Sequence, residues 1–162
     1  MDEEKKSLVE RLFRGLDKFL ILGVIITFVE VLLEVGFRYV LNKPLTWGGE
    51  LSQTVLVWLT FVGAASVLLQ GGHIAIDMLV PLIPSDKAKR LLRLVGSLAI
   101  LIFVTVGFWA GWQVVARTWS MRTTAMQIPS GILYLAFPVG CLLTIPVALR
   151  DIYRAVKGAE SR

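Results

Sequence analysis

Glu30, Glu34 and Arg38 stand at i, i+4 and i+8 within and at the end of an apolar run. A helix would stack them along one face, where carboxylate and guanidinium can pair. Unpaired in lipid, each charge is costly, so such residues face protein, water or one another. Two readings follow: an ion or proton relay, or a polar joint between helices. The joint is favoured, because Glu34 has Arg38 within intrahelical reach and both approach the interface, where charge is cheaper. A second pair, His73 and Asp77, is also spaced i, i+4 and follows Gly71 and Gly72. With one histidine in the whole chain, this pair reads as a polar clamp and not a metal site. A haem held by two histidines is excluded for the same reason.

No nucleophile with its base, glycine-rich phosphate loop or zinc-ligand spacing is present, so the sequence carries no enzyme chemistry and implies no cofactor. The single cysteine, Cys141, lies in an apolar stretch and has no intramolecular partner. Gly107 and Gly111 form a GxxxG pair, and Gly63 to Ser66 form a small-residue patch; both suit close helix packing.

The elements that must position these residues are set by hydropathy. Of the 162 residues 56% are hydrophobic, against roughly 45–50% in soluble domains. The apolar residues are gathered into spans at about 19–37, 51–70, 94–116 and 131–149, with the charges between them. The expected architecture is an all-α membrane protein with four transmembrane helices in a single domain covering 1–162. Pro138 and Pro146 should kink the fourth span. The N-terminal residues place Leu8, Leu12 and Leu16 at helical spacing among Lys and Arg, which predicts an amphipathic helix on the membrane surface. Acidic residues crowd this segment and no small-residue cleavage site follows it, so it is expected to be retained. Gly71 to Pro84 is too short to cross and predicts a short interfacial helix between spans two and three.

Of the 17 Lys and Arg residues, 13 fall on one side and 4 on the other when the N-terminus is placed in the cytoplasm. That asymmetry predicts both termini in the cytoplasm. Tyr39, Trp47, Trp109, Trp112, Trp119 and Tyr134 then gather towards the outer face as an aromatic belt. The net charge of +5 flanks the spans instead of forming a basic face, which argues against a nucleic-acid partner.

The segments Glu34 to Tyr39 (EVGFRY), Asn42 to Trp47 (NKPLTW), Glu50-Leu51, Val57 to Ala65 (VWLTFVGAA) and Gly72 to Asp77 (GHIAID), in this order, resemble the small permease subunit of tripartite ATP-independent periplasmic (TRAP) transporters. Ile128-Pro129 and Tyr134 to Gly140 (YLAFPVG) are similar to that family's closing segment, so the resemblance covers nearly the whole chain. One departure is visible. Where the family often has two adjacent acids after the tryptophan, this chain has Gly49 and then Glu50.

The resemblance implies a subunit that braces a large permease subunit and offers docking surface to a periplasmic substrate-binding protein during ion-gradient-driven uptake of organic acids. Substrate and ion sites would lie in the large subunit. Glu30, Glu34, Arg38, Trp47, Glu50, Trp58, His73 and Asp77 are then candidates for subunit contacts or docking. The alternative from another class is a homodimeric proton-coupled exporter that uses Glu30.

Overall fold

A computed structural model of the chain describes residues 2–69, 83 and 85–157. Four helices account for its regular structure: α1 (Asp2–Tyr39), α2 (Gly48–Leu69), α3 (Asp86–Thr118) and α4 (Gly131–Lys157). Each contains a stretch long and apolar enough to cross a membrane, at Gly15–Tyr39, Gly48–Leu68, Ala88–Thr118 and Gly131–Tyr153. The four spans expected from hydropathy are therefore present, most with longer ends. The N-terminal amphipathic segment is helical and continues without a break into the first span, instead of forming a separate element. At 1.5 Å per residue the 38 residues of α1 extend about 57 Å, well beyond a hydrocarbon core about 30 Å thick. The segment expected to form the interfacial helix, with His73 and Asp77, lies outside the described residues.

The helices pack in series, α1 on α2, α2 on α4 and α4 on α3. This order follows from where small residues let backbones approach. Gly107 and Gly111 form a shallow groove on α3 that receives Phe137 of α4. A Cβ at Gly111 would sit 2.7 Å from Phe137 Cδ1 and 3.2 Å from Pro138 Cδ. The GxxxG pair thus serves contact within the chain. Phe137 also meets Phe61 of α2 edge to face, with ring centroids 5.1 Å apart, an orientation favoured by the ring quadrupoles. Gly140 lies so close to Phe61 that a Cβ there would be 3.0 Å from the Phe61 carbonyl oxygen. α4 is consequently the centre of the molecule: 39% of its apolar stretch is buried, against 11% for α1 and for α3.

The two prolines fall inside α4. Pro138 is among the most completely buried side chains, packed where α3 and α4 touch. Each proline removes one helical N–H. Thr144 Oγ1 donates to the Gly140 carbonyl at 2.9 Å between them, which keeps that buried hydroxyl satisfied.

At the α1–α2 contact Gly23 receives Leu59, and the small-residue patch supplies buried Ala65 and Ser66, with Ser66 Oγ donating to Asp17 Oδ1 at 3.4 Å. Replacing Gly111 with Val should overpack the α3 groove and cost about 1–3 kcal/mol. Gly36→Ala meets nothing within 4 Å and should instead stabilise α1 by about 0.5–1 kcal/mol. Thermal unfolding in detergent checks both; equal midpoints for the two variants would contradict the packing.

Candidate functional site

The polar side chains expected to carry function converge at one end of the molecule, where α1 and α3 finish and α2 and α4 begin. α1 ends by turning at Asn42, whose φ of 51° lies in the left-handed region that asparagine tolerates. The Lys43 amide then donates back to the Phe37 carbonyl at 3.2 Å. This short loop drops the first turn of α2 beside the last turns of α1.

Glu30 is 4% exposed, the most deeply buried acid among the described residues. Its Oε2 accepts a hydrogen bond from Ser52 of α2, while Oε1 is packed against Gly48 and accepts none. Glu34 is half-buried and turns to the same glycine: its Oε2 lies 3.5 Å from where a Gly48 Cβ would be. Gly48 is thus required by close approach, since a side chain there would strike Glu30. Both carboxylates meet the N-terminal end of α2, whose free N–H groups carry a partial positive charge of about half a unit.

The pairing of Glu34 with Arg38 expected from their spacing is not formed; no ion pair joins them among the described residues. The carboxylate is drawn to the helix end, and Arg38 is exposed. Spacing alone permits two directions for Glu34, and only the position of α2 selects one.

Glu50, on the next residue but one, reaches the other way. Its Oε1 accepts from Thr124 Oγ1 at 2.9 Å and from the Ala125 amide at 2.8 Å, and its Oε2 accepts from the Met126 amide at 2.9 Å. These residues sit in the α3–α4 connection, a small hairpin closed by Thr123 N–H to Ile128 O at 2.9 Å and Ser130 N–H to Met121 O at 2.9 Å. Gln127 at its turn has a φ of 55°. Arg122 Nη1 donates to the Gln127 carbonyl at 3.2 Å and helps hold that conformation.

Trp58 supports the same hairpin from below, its indole N–H donating to the Ile132 carbonyl in the first turn of α4 at 3.0 Å. Trp47 stands in the turn before α2, and its carbonyl accepts the Leu51 amide at 3.1 Å. Trp119 packs over Gly131 where the hairpin enters α4. Tyr39, Trp47, Trp109, Trp112, Trp119 and Tyr134 are all exposed towards this end, as a membrane-interface belt requires.

The structure therefore brings together Glu30, Glu34, Trp47, Glu50 and Trp58, and leaves Arg38 outside the contact. Sequence reasoning overlooked Ser52, Gly48 and the Thr124 to Met126 segment. Ser52 and Gly48 were legible only as ordinary residues of a helix start. The hairpin gives no periodic signal and acquires its role from Glu50.

The family described as tripartite ATP-independent periplasmic transporters, DctQ component, matches residues 24–158. The chain is similar to the sialic acid TRAP transporter small permease protein of Vibrio cholerae, with 24% identity over 154 residues, 93% of this chain and 87% of that one. It is also similar to the ectoine TRAP transporter small permease protein of Halomonas elongata, 23% identical over 144 residues, 88% of this chain and 73% of that one. The C4-dicarboxylate TRAP transporter small permease protein of Rhodobacter capsulatus is 30% identical over 101 residues, 61% of this chain and 44% of its own length.

Because Glu50 supplies three of the hydrogen bonds that hold the hairpin on α2, Glu50→Ala should free that segment while leaving the helices paired. Hydrogen exchange at Ala125 and Met126 should accelerate, with protection in α2 and α4 retained. Unchanged exchange at those two amides would show that the hairpin holds itself.

Proposed function

Because the chain belongs to the DctQ component family of tripartite ATP-independent periplasmic transporters, we propose that it is the small inner-membrane subunit that braces a large permease subunit and helps dock a periplasmic substrate-binding protein. On this reading the complex uses an ion gradient to take up organic acids such as sialic acid or C4-dicarboxylates, the substrates in the names of two of its relatives. The observation that supports a bracing role is the open series of helices. α1 touches α2 on one side only, and most of its apolar surface is uncovered by its own chain. A permeation route needs polar groups lining a path. Here the polar side chains of the candidate site are spent on joining helices and on fixing a hairpin.

The distribution of Lys and Arg supports an orientation with both termini in the cytoplasm. The Asn42 turn and the hairpin held by Glu50 then face the periplasm, where a binding protein would arrive. The hairpin suits docking because its backbone is held by Glu50 and by its own bonds, so little ordering is required on contact.

Orientation is checked by thiol labelling in intact cells, in a Cys141→Ser background. Asn42→Cys should react with an impermeant reagent and Lys87→Cys should not; the reverse pattern would overturn the topology.

The functional reading is checked by reconstitution in liposomes under sodium and proton gradients. The purified chain alone should show no gradient-driven flux of organic acids or cationic drugs. Uptake should require the large subunit and the binding protein together with this chain. Transport by this chain alone, abolished by Glu30→Gln, would replace the bracing reading with a self-sufficient carrier.

A further inference from the structure

The joint between α1 and α2 brings two carboxyl groups to one point and gives one buried oxygen no hydrogen-bond donor. Glu30 and Glu34 both lie within 3.5 Å of one point, the position of a Cβ on Gly48, so their nearest oxygens are at most twice that distance apart. Both belong to the apolar stretch Gly15–Tyr39, where solvation of charge is poor. Against them stands the N-terminal end of α2, worth about half a positive charge. Arg38 makes no ion pair with Glu34, and Glu50 turns its carboxylate to the hairpin. Ser52 serves one oxygen of Glu30, while Oε1 is buried and accepts no hydrogen bond. A carboxyl oxygen in that setting needs a donor, a cation or a proton of its own.

We propose that Glu30, Glu34 and Ser52 hold one monovalent cation, which fastens α1 to the first turn of α2. The donors are hard oxygens, two carboxylates and a hydroxyl, suited to an alkali ion and poorly suited to a soft transition metal. A divalent ion is disfavoured by the small number of acids: no three His, Cys, Asp or Glu side chains gather among the described residues. A basic side chain from a partner subunit would have to reach an oxygen already enclosed by this chain. A bare ion needs far less room. The site does not depend on the transport role proposed above, since all its ligands come from this chain.

The test uses the full chain purified alone in detergent, so that no site on another subunit contributes. Thermal unfolding is followed in sodium, potassium or choline chloride at equal ionic strength. At a tenfold excess over its dissociation constant, the bound alkali ion should raise the midpoint by about 3–6 °C over choline. Glu30→Gln and Ser52→Ala should each reduce that difference, and Asp17→Asn, at the other end of the apolar stretch of α1, should retain it. Equal midpoints of the unaltered chain in all three salts would overturn the proposal, whatever the variants do. So would a salt-specific shift that survives Glu30→Gln.

Discussion

A single carboxylate at the start of α2 ties together segments 74 to 76 residues apart in sequence. Without Glu50 the α3–α4 hairpin would keep its own short ladder and lose three hydrogen bonds that fix it to α2. Because the hairpin also leads into α4, its position on α2 governs where the central helix begins. Trp58 repeats the constraint one step deeper, through the Ile132 carbonyl. Both contacts use a side chain of α2 to bond backbone polar groups, Glu50 accepting from two amides of the hairpin turn and Trp58 donating to a carbonyl in the first turn of α4. The cost of an unsatisfied group near the bilayer makes these contacts directional in a way that apolar packing is not.

Below that end, shape takes over from hydrogen bonding. Phe137 is enclosed by the glycine groove of α3 and by Phe61 of α2, and Gly140 lets α2 and α4 approach nearly to backbone contact. In a bilayer, lipid tails are as apolar as side chains, so helices associate through close fit. That explains why the tightest packing occurs at glycines, and why α4, which carries both the wedge and the prolines, is the most buried. α1 is joined differently, by Gly23 with Leu59 in the middle and by polar contacts near each end, Asp17 with Ser66 and Glu30 with Ser52. The helix with the least packing is therefore the one most dependent on polar contacts.

This unevenness bears on function. A row of helices with a well-packed middle and a lightly covered edge has surface to give to another membrane subunit. The relatives named for sialic acid, ectoine and C4-dicarboxylates differ widely in the solutes they are named for, yet align with this chain over 154, 144 and 101 residues. Small permease proteins named for such unlike solutes fit the proposal that selectivity lies in other chains.

Much was legible in the residues alone. The four spans follow from the length of apolar runs against a fixed hydrocarbon thickness, and the aromatic belt follows from rings that seek an interface. The ordered set of motifs points to the family without any tertiary information. The glycine pair announced a close contact, though not which helix it receives. Pairing of polar residues was beyond its reach. Glu34 is spaced for Arg38 but turns to Gly48, and Glu50 is bound by a loop far along the chain. Periodicity describes one helix at a time, whereas the partner of a charge is chosen by whichever donor or dipole the tertiary arrangement brings nearest. Hydropathy acts locally and is written in composition; the electrostatics of a buried carboxylate depends on distances that exist only after the helices have packed.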